Sequence, residues 1–333
     1  TAAVLRGTRN EHHRPPMIPE QALLHPSVHR RSMPTHNHIN LACLYLFPLL
    51  FPFLRCYNRA IPTARNAILL AGMHRSGTSA LAGVINMLGA DVGSGLLPAV
   101  HGDNERGYWE IRDVAELDNE CLEHFGLSWS DPRALPDCWL DDPWLEDWQA
   151  RAESVIHERF SPAKLIVIKD PRISRLLPVW RRVLENAHIR PLLVIPLRHP
   201  LEVVASLLRR PDTSMSATDV HRLWFRYLID AETGSRDMPR FWIRYDRLLC
   251  DWRTEMQSLA EEFQIRWPTD IETASPAIDE YLDGNLRHQR QEHQIADDQN
   301  PTIRASCESY QKLIGNLESH QAVGPVLRTV DHA

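Results

Sequence analysis

Ala67-Ile68-Leu69-Leu70-Ala71-Gly72-Met73-His74-Arg75-Ser76-Gly77-Thr78-Ser79 is the stretch that decides the fold of this chain. An apolar run of strand length ends at a glycine. A short loop leads to a second glycine and two hydroxyl residues. Ala80-Leu81-Ala82-Gly83-Val84-Ile85-Asn86-Met87-Leu88 then reads as a helix. Strand, glycine-containing loop and helix N-terminus bind phosphate, because free backbone N–H groups face the loop and the helix dipole favours an anion there. The plain alternative is an ordinary strand–turn–helix with a glycine-rich turn.

The spacing from Gly72 to Gly77, followed by Thr78 and Ser79, resembles a Walker A loop. Thr78 stands where that loop carries its lysine, and the cation is Arg75, inside the loop. A Walker lysine serves the β- and γ-phosphates of a nucleoside triphosphate, so its absence argues against ATP or GTP hydrolysis.

Three later segments have the same strand-to-helix character. Arg190 to Leu197 reads as a buried strand despite Pro196, and runs into Arg198-His199-Pro200-Leu201-Glu202-Val203-Val204-Ala205-Ser206. Pro200 suits a first helical turn, Arg198 can pair with a phosphate, and Ser206 returns to nearly the same helix face two turns on. Leu165-Ile166-Val167-Ile168 ends in Lys169-Asp170-Pro171-Arg172, which places a lysine at the carboxyl edge of a parallel sheet, where ligands of α/β folds bind. Arg240 to Arg244 is a fourth strand, with Tyr245 at its end. Between the first helix and the second strand lies Asp103-Asn104-Glu105-Arg106-Gly107-Tyr108-Trp109-Glu110, with aromatic neighbours that would desolvate Glu110. Against each functional reading stands a structural one: a strand-end cation pairing with a carboxylate, a surface glutamate, a core tyrosine.

Taken together, the loop Gly72–Ser79 and the Arg198/Ser206 segment resemble the two phosphate signatures of the sulfotransferases that use PAPS (3′-phosphoadenosine 5′-phosphosulfate). The resemblance is to the bacterial type, with similarity to the tyrosylprotein and carbohydrate branches, and covers residues 66–265. It implies an α/β, P-loop-type three-layer sandwich with a central parallel sheet flanked by helices. It implies that Gly72, His74, Arg75, Ser76, Gly77, Thr78 and Ser79 hold the 5′-phosphate and that Arg198 and Ser206 hold the 3′-phosphate. Tyr245 would contact the nucleotide, and Gly284 to Arg290 would form a late basic clamp. Arg75 and Lys169 would stabilise charge on the sulfuryl group. Glu110 would take the proton of a hydroxyl acceptor (carbohydrate, tyrosine, or small alcohol or phenol), with Glu105 or His74 in reserve. No metal is implied. Two rivals stay open: a P-loop nucleotide kinase or other phosphotransferase, which would need Mg²⁺, and a non-catalytic nucleotide-binding module.

The 333 residues are 43% hydrophobic and 24% charged, an ordinary globular composition. Cysteines at 43, 56, 121, 138, 250 and 307 form neither a CxxC pair nor a zinc spacing, so reduced thiols in a cytoplasmic setting are expected. Residues 1–60 hold seven Arg and two Glu, about +5, which leaves −11 on the remainder. So acidic a body argues against a nucleic-acid partner.

The organisation expected is residues 1–60 as a disordered or apolar segment, 61–270 as the α/β domain, and 271–333 as a C-terminal helical extension. The apolar run 41–54 carries two prolines and is shorter than the ~20 residues of a membrane span, so membrane contact or anchoring through it is not favoured. Strands are expected near 67–71, 165–169, 191–197 and 240–244. Helices are expected near 78–88, 111–125, 144–159, 174–187, 200–209, 216–236 and 246–263, with one more from Ser306 to Leu317. Trp109, Trp129, Trp139, Trp144 and Trp148 suggest a satellite core beside the loop. Nothing in the sequence speaks to oligomeric state.

Overall fold

The computed structural model describes residues 65–100, 104, 106–210, 213–282, 300–319 and 321–328, all within one compact unit, Ala60–Ala333. The apolar run 41–54, the reserve base Glu105 and the basic segment Gly284–Arg290 lie outside the described residues.

Four strands form one parallel sheet: β1 (Asn66–Leu70), β2 (Leu165–Lys169), β3 (Arg190–Leu197) and β4 (Arg240–Arg244), in the order β2-β1-β3-β4. The first three are near-continuous apolar runs because both faces of a parallel sheet are covered. Alternation sorts their side chains between two cores. Ala67, Leu69, Ile166, Ile168, Leu193 and Ile195 face one core, and Ile68, Leu70, Leu165, Val167, Leu192 and Val194 face the other. The three-layer sandwich expected from the sequence is therefore the observed architecture.

On the first face lie α2 (Arg112–His124), α3 (Trp144–Arg159), α4 (Ile173–Asn186), α5 (Pro200–Leu207), α6 (Ala217–Gly234) and α10 (Pro301–Glu318). On the second lie α1 (Thr78–Met87), α8 (Trp252–Phe263) and α9 (Ile271–Tyr281). Two short helices complete the chain, α7 (Tyr245–Cys250) and α11 (Gly324–Arg328).

Two expectations are corrected and one is sharpened. The helix expected over 246–263 is two, broken at Asp251, whose backbone leaves the helical region (φ −150°, ψ 50°). α9 lies within the C-terminal helical extension expected over 271–333, where the sequence reading delimits no separate helix at this position. Asp270 caps it by accepting from the Thr273 N–H at 2.9 Å, and Ile278 anchors it in the second core. The tryptophans do not form a satellite. Trp148 is fully buried in the main core, donating to the Leu117 carbonyl, while Trp129, Trp139 and Trp144 pack against that core and Trp109 against the other. Among the described residues no helix is long and apolar enough to cross a membrane.

Candidate functional site

Each strand delivers a candidate residue at its carboxyl end. β1 runs into Ala71-Gly72 and the loop, β2 ends on Lys169, β3 is followed by Arg198, and β4 by Tyr245. Such edges are where open α/β sheets bind ligands.

The loop is held from both sides. The Gly72 N–H donates to Ser174 Oγ at 2.6 Å, and a Cβ on Gly72 would lie 3.2 Å from Pro196. Gly77 has φ +96°, and a Cβ there would lie 2.3 Å from Tyr245 Cδ2. Only glycine meets both demands, a left-handed backbone and an aromatic ring in direct contact. Gly77 is also the N-cap of α1 and supplies no side-chain cap, so the first-turn N–H groups of that helix remain for an anion. Arg75 too is left-handed, at φ 68°, an unusual backbone for a bulky residue.

Arg75 Nε donates to Ser206 Oγ at 2.9 Å. Arg198 Nη1 donates to the Arg75 carbonyl at 3.0 Å, its Nε donates to Glu202 Oε2 at 3.0 Å, and its guanidinium lies 4.6 Å from the centre of the Tyr245 ring. The two expected phosphate segments thus share side-chain and backbone contacts. The N-terminus of α5 owes its form to Pro200 and to His199, whose Nδ1 accepts from the Leu201 N–H. That geometry returns Ser206 to the Arg198 side.

Lys169 Nζ and Glu110 Oε1 meet at 2.5 Å, joining two residues expected to play separate catalytic roles. Glu110 Oε2 accepts from Arg172 Nη2 at 3.4 Å. Arg172 is in turn gripped by Asp170 at 2.8 and 2.6 Å and bonds Asn119 Oδ1 at 2.8 Å. Burial raises the pKa of Glu110, and Asp170 adds to this, while Lys169 and Arg172 oppose it. The setting of Glu110 is therefore ionic, where the sequence pointed to Tyr108 and Trp109. Asp118 lies in the same cluster, fully buried. Its Oδ1 accepts from Trp180 Nε1 at 2.7 Å and its Oδ2 has no partner. Burial, with Asp170, raises its pKa well above the ordinary value.

His74 sits between Trp129 and Tyr227, at 4.7 and 5.6 Å between ring centres. Its Nε2 is shut off from water without a partner. Burial, then Arg172 and Lys169, lowers its pKa well below the usual value, so this side chain is neutral and adds no positive charge to the loop. Ser76 and Thr78 are buried in the loop. The Ser79 hydroxyl is engaged outside it, donating to the Tyr108 carbonyl and accepting from Asn104.

The sequence reading assigned no role to Arg172, Asp118, Glu202 or Trp129. Two of them left a trace: Glu202 stands four residues after Arg198 at a helix start, and Arg172 two residues after Asp170 in an Asx-type turn. Trp129 entered only among the tryptophans of the expected satellite core, and Asp118 left no trace. Among the described residues no group of His, Cys, Asp or Glu is placed to hold a metal ion.

No family model matches the sequence, and no curated relative does. Three solved structures similar to this chain are sulfotransferases. A domain from the curacin biosynthetic pathway is 15% identical over 74% of this chain and 98% of its own, with a TM-score of 0.42. A domain from the Synechococcus olefin synthase is 16% identical over 74% and 94%, with a TM-score of 0.38. The sulfotransferase STF9 of Mycobacterium avium is 13% identical over 80% and 81%, with a TM-score of 0.39.

Proposed function

We propose that this protein is a PAPS-dependent sulfotransferase acting on a hydroxyl-bearing acceptor. The observation that carries the reading is the union of two anion-binding elements: Arg75 bonds Ser206 while Arg198 bonds the Arg75 backbone. One nucleotide with phosphates on both its 5′ and 3′ positions matches such a pair. A triphosphate requires neither Arg198 nor Ser206 and would call for a lysine at position 78. The residues fit the donor, because the cradle excludes side chains at Gly72 and Gly77 and leaves a helix N-terminus uncapped.

In this reading the donor supplies an electrophilic sulfur with a phosphate leaving group. The N–H groups of the loop and the start of α1 hold the 5′-phosphate. Arg198 and Ser206 hold the 3′-phosphate. Lys169 offers an ammonium to the charge that builds during transfer. Glu110 accepts the hydroxyl proton of the acceptor, its carboxylate made more basic by burial. Carbohydrate, tyrosine and small alcohol or phenol acceptors all satisfy this chemistry, and no metal takes part in it. A cytoplasmic home belongs to the same reading, supported by free thiols at Cys121, Cys138 and Cys250.

Calorimetric titration of the full chain with 3′,5′-ADP, beside 5′-AMP and ATP–Mg²⁺, tests the reading. Micromolar binding of 3′,5′-ADP alone supports it and justifies an acceptor screen with radiolabelled PAPS. Preference for ATP–Mg²⁺, or no binding at all, overturns it.

A further inference from the structure

Glu110 and Lys169 are mutually neutralised where they stand. Their charged atoms meet at 2.5 Å, with both side chains at least nine-tenths buried. A carboxylate so paired is a weaker proton acceptor than its burial alone would make it, and an ammonium so paired is poorly available to an incoming anion. The two partners of Glu110 differ in freedom. Arg172 is tied to Asp170 through two hydrogen bonds and to Asn119 through a third. Lys169 is a single charge on a flexible four-carbon stem. It also ends β2, in register with Leu70 of β1, two residues before the loop glycine Gly72.

We infer that Lys169 is a transferable cation: Glu110 holds it until the donor arrives, the sulfuryl group then draws it away, and Arg172 stays behind to keep Glu110 in place. This rests on the sulfotransferase reading. It makes base activation depend on donor binding. Once Lys169 leaves, Glu110 loses its strongest opposing charge while its burial persists, so its proton affinity rises when a donor is present to accept the attack. The donor therefore binds before the acceptor can be deprotonated. Arg172 is a positioning residue in this scheme, acting through Glu110.

The test is a double-mutant cycle read by calorimetry on the full chain, with PAPS and 3′,5′-ADP as ligands and wild type, Glu110→Gln, Lys169→Gln and the double variant as proteins. Glu110→Gln frees Lys169 in advance, so PAPS should bind about tenfold more tightly, within the usual range for coupled side chains, while 3′,5′-ADP is unchanged. Unchanged 3′,5′-ADP affinity also verifies that each variant is folded. The gain must vanish in the Lys169→Gln background, where no cation remains to be freed. A gain that persists there is through-space charge removal and overturns the transfer. So does unchanged or weaker PAPS binding by Glu110→Gln, while leaving the sulfotransferase reading intact. If wild type binds neither ligand, that reading falls and the inference falls with it.

Discussion

Arg75 and Ser206, 131 residues apart in sequence, meet through a 2.9 Å hydrogen bond from the guanidinium to the hydroxyl. The loop after β1 and the helix after β3 are therefore one binding unit. Arg75→Ala removes a cation from its centre. Turnover should fall by the equivalent of about 2–4 kcal/mol, the scale of a lost transition-state contact. Steady-state rates with a working acceptor would check this, and an unchanged rate would remove Arg75 from the chemistry.

Arg198→Ala should weaken 3′,5′-ADP binding by about 1.5–3 kcal/mol, the scale of a charged hydrogen bond, and 5′-AMP binding much less. It also breaks the buried ion pair that Arg198 makes with Glu202. Removing one partner of a buried pair is destabilising, by up to about 3–5 kcal/mol, so thermal stability should drop as well. Pairing Arg198→Ala with Glu202→Gln should restore Tm without restoring affinity. Recovery of both would mean that Arg198 only supports the fold.

Gly77→Ala should destabilise the protein and abolish nucleotide binding, because the new methyl meets the Tyr245 ring at 2.3 Å. Gly107→Ala is the matching control, since Gly107 has a similar left-handed backbone, φ +86°, with nothing within 4 Å of the added carbon. Backbone strain is common to both. The excess loss in Gly77→Ala, about 1–3 kcal/mol by thermal melts, measures the clash.

Asp118 gives a pH-dependent signature. Its folded pKa lies well above its ordinary 3.8, so the folded chain binds this proton more tightly than the unfolded chain does. The stability it contributes is full below the ordinary pKa and is lost as pH rises through the folded one. Asparagine keeps the shape and has no such proton to lose. Asp118→Asn should therefore raise Tm over wild type more at about pH 8 than at about pH 5. An equal difference at both would show that Asp118 is ionised throughout.

Arg175 supports the wall beside His74. Its buried side chain donates to the Asp131 carbonyl at 2.7 Å and to that of Arg133, and pairs with Asp230 at 3.2 Å. The Tyr227 hydroxyl holds the Trp129 carbonyl in the same segment at 2.8 Å. Arg175→Met should cost about 3 kcal/mol in denaturant unfolding, because it leaves Asp230 without one of its two arginines. Donor affinity should change far less than stability, since Arg175 bonds Asp131, Arg133 and Asp230 and none of the residues expected to hold the donor.

Much of the fold was legible in the sequence for a simple reason. A strand buried on both faces must be apolar throughout, so Ile68, Val167 and Leu193 announce their strands without any partner in view. The strand-end positions of Lys169, Arg198 and Tyr245 followed directly. What escaped was set by contacts between distant segments. No local pattern tells that Arg172 reaches Glu110 across 62 residues, or that Trp180 reaches Asp118 across the same separation. The bounds of α9 within the expected helical extension escaped because Ala274 and Ile278 are few apolar anchors among polar neighbours, and the Asp270 cap is a short signal.

β3 carries two prolines, at positions that look unfavourable for a strand flanked on both sides. The Leu193 N–H donates toward β4, to the Pro239 carbonyl, while the Val194 carbonyl accepts from Ala71 on the β1 side. Alternation then turns the missing N–H of Pro191 toward β4 and that of Pro196 toward β1. β4 pairs with β3 only from Leu193 onward, and β1 pairs with it only as far as Val194. Each proline lacks its donor where the neighbouring strand is absent. The pair thus works as a stagger gauge: β1 sliding forward, or β4 sliding back, would set a carbonyl against a proline nitrogen. The proline that crowds Gly72 therefore also favours the observed stagger of the sheet over its neighbours.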